Sequence, residues 1–163
     1  MSSSFEVRFA KYMDKEDIMS FIGNYWAKNH ILSNDKMFFD FQYRHEDDLQ
    51  FVLALDTNNR IVGVIGYMQY DPEKNDQDIV LALWKVIPNL SDPVLGIKLI
   101  EYLRNNIKHR SMFCVGINKK TIGIYKFMGF KTGKLLHFAA FNTECKTFSI
   151  AIPPLKKKKF NMW

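Results

Sequence analysis

Residues 79–87, Ile-Val-Leu-Ala-Leu-Trp-Lys-Val-Ile, form a nearly continuous apolar run. A run of that length, rich in Val, Ile and Leu, suits a strand covered on both faces. Pro88 stops it, because proline has no N–H to give a ladder. Asp92 and Pro93 then read as an N-cap followed by a proline in the first helical position. Leu95, Leu99, Ile100, Leu103 and Ile107 follow at helical spacing and predict an amphipathic helix. A buried strand, a sharp turn and a helix in that order require a sheet with helices on its faces.

A second unit of the same kind comes next. Residues 112–117 read as a strand, and Asn118 can cap a helix by accepting from an early N–H. Ile122, Ile124, Tyr125 and Phe127 give that helix an apolar surface, and Gly129 closes it as a C′ residue. Upstream, Phe5–Phe9 alternate as a strand, and Asp14 caps a helix running to Tyr25 or Ala27. Residues 26–48 are irregular and aromatic-rich, with a second short helix. Phe51–Leu55 and Ile61–Gln69 form a hairpin about the turn Asp56–Arg60. A polar loop fills 71–77, and further strands are expected over 133–142 and 148–152. The expected fold class is α/β (α+β): a mixed, twisted central sheet of about six or seven strands flanked by helices. One domain is expected over 1–152, with 153–163 a basic tail or the start of a missing second domain.

Composition narrows the classes of function. The net charge is +6, and Lys156–Lys159 supply four of the positive charges, so the rest of the chain is near neutral. No basic stripe interleaved with aromatics is evident, which argues against nucleic-acid recognition. No apolar run is long enough for a membrane span, and no charged-then-apolar leader is present. Cys114 and Cys145 do not make a disulfide framework. A reducing, cytoplasmic setting is the simplest expectation. No His or Cys pair stands at metal-ligand spacing, and no metal is expected.

The two strand–helix units together resemble the GNAT acyltransferase superfamily. Its signature is a strand ending in Val-x-Pro, a loop Gln/Arg-x-x-Gly-x-Gly/Ala, and a helix. A second strand follows, then Asn-x-x-Ala-x-x-x-Tyr-x-x-x-Gly-Phe. Val86-Ile-Pro88 matches the strand end, the helix opening at Gly96 matches the end of the loop, and Met112–Ile117 matches the second strand. Asn118, Tyr125, Gly129 and Phe130 match the last motif, with Thr121 in place of the small Ala. The loop departs from the pattern. Ser91 stands where Gln or Arg is usual, and Val94 where the first Gly is usual. Pro93 has no N–H to offer, and the charge of Asp92 competes with an anion at the helix N-terminus.

The resemblance implies acetyl transfer from acetyl-CoA to a primary amine. Val86 and Ile87 would bind the pantetheine through their backbone. Ser91, Val94, Leu95, Gly96 and Ile97 would bind the pyrophosphate. Asn118 and Tyr125 would lie near the sulfur, with Tyr125 giving a proton to the departing thiolate. The strand 79–86 carries no carboxylate, so His30 and His137 are the candidate general bases. A narrower resemblance, carried by Trp26-x-x-x-His30-Ile-Leu, the stretch ending Gln42-Tyr43 and Met128–His137-Phe, is to N-acyltransferases of surface-polysaccharide biosynthesis. It implies a nucleotide-linked amino sugar as acceptor. Asp35 and Asp40 would hold that acceptor or serve as loop and cap carboxylates. Trp26, Phe38, Phe39, Phe41 and Tyr43 would form a stacking wall or belong to the core. A homodimer through the last strands is expected on plausibility alone. Two other readings stand beside this one: a catalytically inactive GNAT-like ligand-binding or scaffolding module, and a protein-amine acetyltransferase.

Overall fold

Residues 5–70, 76–136, 142, 144, 145 and 147 are described by a computed structural model. The strands in chain order are β1 (Glu6–Lys11), β2 (Arg44–His45), β3 (Asp48–Leu55), β4 (Ile61–Gln69), β5 (Asp78–Val86) and β6 (Ser111–Phe113). They make one mixed sheet in the order β1-β3-β4-β5-β6, with the short β2 also paired to β3. Every pairing is antiparallel except β5 with β6, which is parallel. A parallel neighbour needs a crossover, and α4 (Leu95–Asn106) provides it. The helices α1 (Lys15–Phe21), α2 (Ile31–Asn34) and α3 (Lys36–Tyr43) come between β1 and β2, and α5 (Ile122–Phe127) follows β6.

The sheet has a core on each face. On one, Ile18, Phe39, Tyr43, Phe51 and Leu53 pack together. On the other, Val52, Ile65, Leu99, Ile100 and Leu103 do so, with Tyr125 at the margin. Successive β3 residues alternate between the two clusters, as strand geometry requires. This two-sided burial is why the 79–87 run carries so few polar positions.

Local readings change at the ends of two helices and at one cap. The helix expected to start at Pro93 starts at Leu95, with Val94 as its N-cap residue. Asp92 still closes the turn: Oδ1 accepts the Val94 N–H at 3.0 Å and Oδ2 pairs with Lys98 Nζ at 2.6 Å. Asp14 does not cap α1 with its side chain, because its carboxylate is engaged by Arg8 at 2.7 Å and by the Lys11 N–H at 2.8 Å. The helix expected to reach Tyr25 or Ala27 ends as α at Phe21 and continues as a π turn over Ile22–Trp26.

The chain divides into two compact units, Met1–Phe130 and Lys131–Trp163. In the second, residues 131–136 carry no regular structure. Asn142 closes a turn there, its Oδ1 accepting the Glu144 N–H at 3.0 Å and its carbonyl the Cys145 N–H at 3.2 Å. Of the strand expected over 133–142, residues 133–136 are not in a strand and 137–141 lie outside the described residues, as does the strand expected over 148–152.

Burial sets the alkaline limit of the first unit. It pushes Tyr43 up to about 12 and raises Tyr67 and Tyr125 further. An unfolded chain ionises tyrosine near pH 10. Above that pH the folded state keeps protons that the unfolded state releases, so stability falls as pH rises; below it the contribution is complete. The urea midpoint is expected to drop between about pH 9 and 11, and to drop less in Tyr67→Phe.

Candidate active site

The site begins where two parallel strands are held together at one end and part at the other. Asp78 clamps the start of the β5–β6 pair. Its carboxylate takes Arg110 Nη2 and the Ser111 hydroxyl, each at 2.6 Å. The Arg110 and Ser111 hydrogen bonds hold its carboxyl down at about 2. Pairing then runs from Asp78↔Ser111 to Val80↔Phe113 and stops. The strand expected over 112–117 therefore ends at Phe113, and residues 114–117 leave β5.

A bulge sets what β5 shows to the gap. Gly66 pairs with Leu83 and Tyr67 with Leu81, which leaves Ala82 as an extra residue. An extra residue reverses the side-chain alternation. Ile79 and Leu81 pack with the α4 cluster, Leu83 packs with the opposite cluster, and Trp84 and Val86 return to the α4 side. Without the bulge, Trp84 would face the other way.

The resulting cleft has a volume of about 210 Å³. Leu81, Ala82, Leu83 and Trp84 form one wall, and Cys114–Asn118 with Thr121 form the other. Tyr125 also lines it, and Trp26 comes from the turn after α1. Asn118 is fixed by its cap: Oδ1 accepts the Lys120 N–H at 2.9 Å. Tyr125 is fixed by the end of its helix. Gly129 has φ +84, a conformation that favours glycine. It lets the Phe130 N–H reach the Tyr125 carbonyl at 2.9 Å and its own N–H reach Lys126 at 3.0 Å. This is a complete Schellman closure, so the C′ reading of Gly129 holds. The Tyr125 side is 5 % exposed. Burial first, then a hydrogen bond with the Cys114 thiol, keeps its hydroxyl protonated well above the ordinary tyrosine range.

Gly96 has a different neighbour from the one its place in the loop suggests. A Cβ there would stand 3.0 Å from Trp84 Cζ2, and the Trp84 Nε1–H donates to the Gly96 carbonyl at 3.1 Å. The indole therefore rests on the first turn of α4, and a side chain at position 96 would push against it. Asp92 engages the amides of Val94 and, at 3.4 Å, Leu95. Gly96 and Ile97 are the next amides along that turn. The Ile87 N–H donates to Val62 on β4 at 2.9 Å, so its amide is engaged by the sheet. Val86 pairs with Gly63 on β4. Ser91 precedes Asp92 as an exposed bend.

His30 lies against the cleft wall, its ring meeting Trp26 edge-on at 4.7 Å. Its Nδ1 accepts the Leu32 N–H at 3.2 Å as the cap of α2. The neutral ring so arranged carries its proton on Nε2 and is a donor. His137 lies outside the described residues. Asp35 caps α3, accepting from Met37 and Phe38 at 3.0 and 2.9 Å. Asp40 pairs with the buried Lys15 at 2.7 Å. The cap and ion-pair contacts fit the loop and cap reading of these carboxylates. Of the expected stacking wall, Trp26 is 41 % exposed and lines the cleft, whereas Phe41 is exposed but is not among the residues that line it. Phe39 and Tyr43 are buried around Phe51, and Phe38 packs beside them. Among the described residues no group of His, Cys, Asp or Glu gathers as a metal site. No helix among them is long and apolar enough to cross a membrane.

Trp84 and Cys114 were missed from the sequence. Trp84 stands two residues before the Val-x-Pro and reads as one more apolar residue of the strand. Cys114 reads as core until the splay opens beside it.

Comparison with solved structures bears on the fold. An aminoglycoside acetyltransferase from an uncultured soil metagenomic sample superposes with a TM-score of 0.65 at 15 % identity, over 86 % of this chain and 99 % of that one. The aminoglycoside N-acetyltransferase AAC(6')-Iy, in complex with CoA, superposes with 0.63 at 13 %, over 89 % and 98 %. A Trypanosoma brucei acetyltransferase gives 0.55 at 14 %, over 85 % and 100 %. The chain has the GNAT acetyltransferase fold. The expected fold class is thereby borne out, sheet and flanking helices alike. No protein-family profile and no curated protein sequence matches the chain.

Proposed function

We propose that the protein is an acyl-CoA-dependent N-acyltransferase that moves an acetyl group from acetyl-CoA to a primary amine. The observation that carries this reading is the splay of β5 from β6 with the buried, protonated Tyr125 lining it. In this reading Asn118 and the backbone beyond Phe113 border the thioester, while the Gly96 and Ile97 amides face the pyrophosphate. The amine attacks the thioester carbonyl carbon; a C–N bond forms and the C–S bond breaks. Tyr125 donates its phenolic proton to the departing sulfur, which a group that stays protonated at neutral pH can do. With Nδ1 engaged by its cap, His30 positions the acceptor by donating from Nε2. The base role then falls to His137 or to a water. The leading acceptor is a nucleotide-linked amino sugar, whose ring the exposed face of Trp26 suits.

A second reading, an inactive GNAT-like module, draws on one observation. Asp92 holds a carboxylate at the α4 start, where a pyrophosphate would need positive potential. Calorimetric titration with acetyl-CoA decides between the two. Micromolar binding, lost in Gly96→Glu, is expected. No binding at millimolar ligand removes the enzyme reading.

A further inference from the structure

The indole of Trp84 ties together two parts of the cleft that acyl transfer would use at different moments. At one end its Nε1–H donates to the Gly96 carbonyl at 3.1 Å, and its six-membered ring lies where a Gly96 side chain would begin. At the other end it meets the Tyr125 ring edge-on, with centroids 5.5 Å apart at 70°. Phe130 meets the same tyrosine at 5.3 Å and 90°. Tyr125 is thus held between two rings, and one of them is itself anchored on α4. The bulge at Ala82 puts Trp84 on that side of β5. We propose that Trp84 is the positioning residue for Tyr125: docked on Gly96, it fixes the phenol in the cleft and shields it from water. The kinetic part of this inference rests on the acyl-transfer reading; the geometric part does not.

Edge-to-face contacts of this kind fix ring orientation. A displacement of about 1 Å at a reacting group can lower turnover by about 10²-fold. Trp84→Leu removes the aromatic edge and the Nε1 donor. Trp84→Phe removes the donor and one ring of the indole but keeps an aromatic edge for Tyr125. The test measures kcat and the KM for acetyl-CoA in both. It also follows the ionisation of Tyr125 in the parent, Trp84→Leu and Trp84→Phe, each by ultraviolet difference against the same protein carrying Tyr125→Phe. The titratable group facing Tyr125 is Cys114, so Cys114→Ser serves as the background for that titration.

Trp84→Leu is expected to lower kcat by about tenfold or more with KM nearly unchanged. Tyr125 should then ionise at lower pH, and Trp84→Phe should recover most of both effects. Unchanged kcat and unchanged Tyr125 ionisation in folded Trp84→Leu would overturn the proposal, since packing alone would then be its role. Should Trp84→Leu fail to fold, Gly96→Ala displaces the ring from its other end. An unchanged Tyr125 ionisation in that variant overturns the proposal equally. If acetyl-CoA does not bind at all, the acyl-transfer reading fails; the phenol titration needs no substrate and still decides the role of Trp84.

Discussion

Tyr125→Phe is expected to lower kcat by about 10²- to 10⁴-fold, the usual contribution of a positioned general acid. Phenylalanine keeps the ring, its contacts with Trp84 and Phe130, and the Schellman closure beneath it. It removes a single oxygen. The KM for acetyl-CoA should therefore stay close to the parent value, because the pantetheine and phosphate contacts are elsewhere. Loss confined to kcat identifies an interaction made in the transition state. Steady-state release of free thiol, followed across neutral pH, reads both constants. Full turnover in this variant would remove Tyr125 from the mechanism and leave the departing thiolate to solvent.

Phe39→Ala is expected to destabilise the protein by about 3–5 kcal/mol, the range for truncating a buried aromatic. Phe39 is fully buried and stacks on Phe51 with centroids 5.7 Å apart and planes 6° from parallel. Tyr43 completes the cluster, 4.6 Å from Phe51. Cutting Phe39 back opens a cavity that the two remaining rings, Tyr43 on α3 and Phe51 on β3, cannot readily close. Phe41 lies two residues away and is 88 % exposed. Phe41→Ala should change stability by about 0.5 kcal/mol or less. Urea denaturation of both variants checks the contrast. Equal effects would mean that α3 packs differently from its position here.

That contrast marks the reach of sequence reasoning. The aromatic stretch from Trp26 to Tyr43 reads equally well as an acceptor wall or as core. Spacing cannot choose, because α3 is short and which of its rings are buried is decided by how it packs on β3. The same is true of the carboxylates. Asp35 was legible as a cap from its place before an apolar stretch. The role of Asp40 depends on Lys15, which the fold brings to it. At α4 the Asp-Pro pair signalled a helix start correctly to within two residues. What fills the space above Gly96 was not legible, since Trp84 lies on β5 and reaches α4 only through the packing of helix on sheet.

What the sequence determined by itself was local and ordered. The two-sided apolar run, its proline stop, the Asn118 cap and the Gly129 exit depend on residues within a few positions of one another, so propensity and hydrogen-bond chemistry suffice to read them. Their order along the chain was enough to expect a mixed sheet with helices on its faces. The tertiary structure alone decided the rest. It placed the bulge at Ala82, which turns Trp84 toward α4. It ended the β6 pairing at Phe113, which opens the cleft. It buried Tyr125 beside Cys114, which keeps its proton. The first two depend on the register of one strand against another and the third on how α5 packs against the sheet; both are properties of pairs that no single stretch of chain contains.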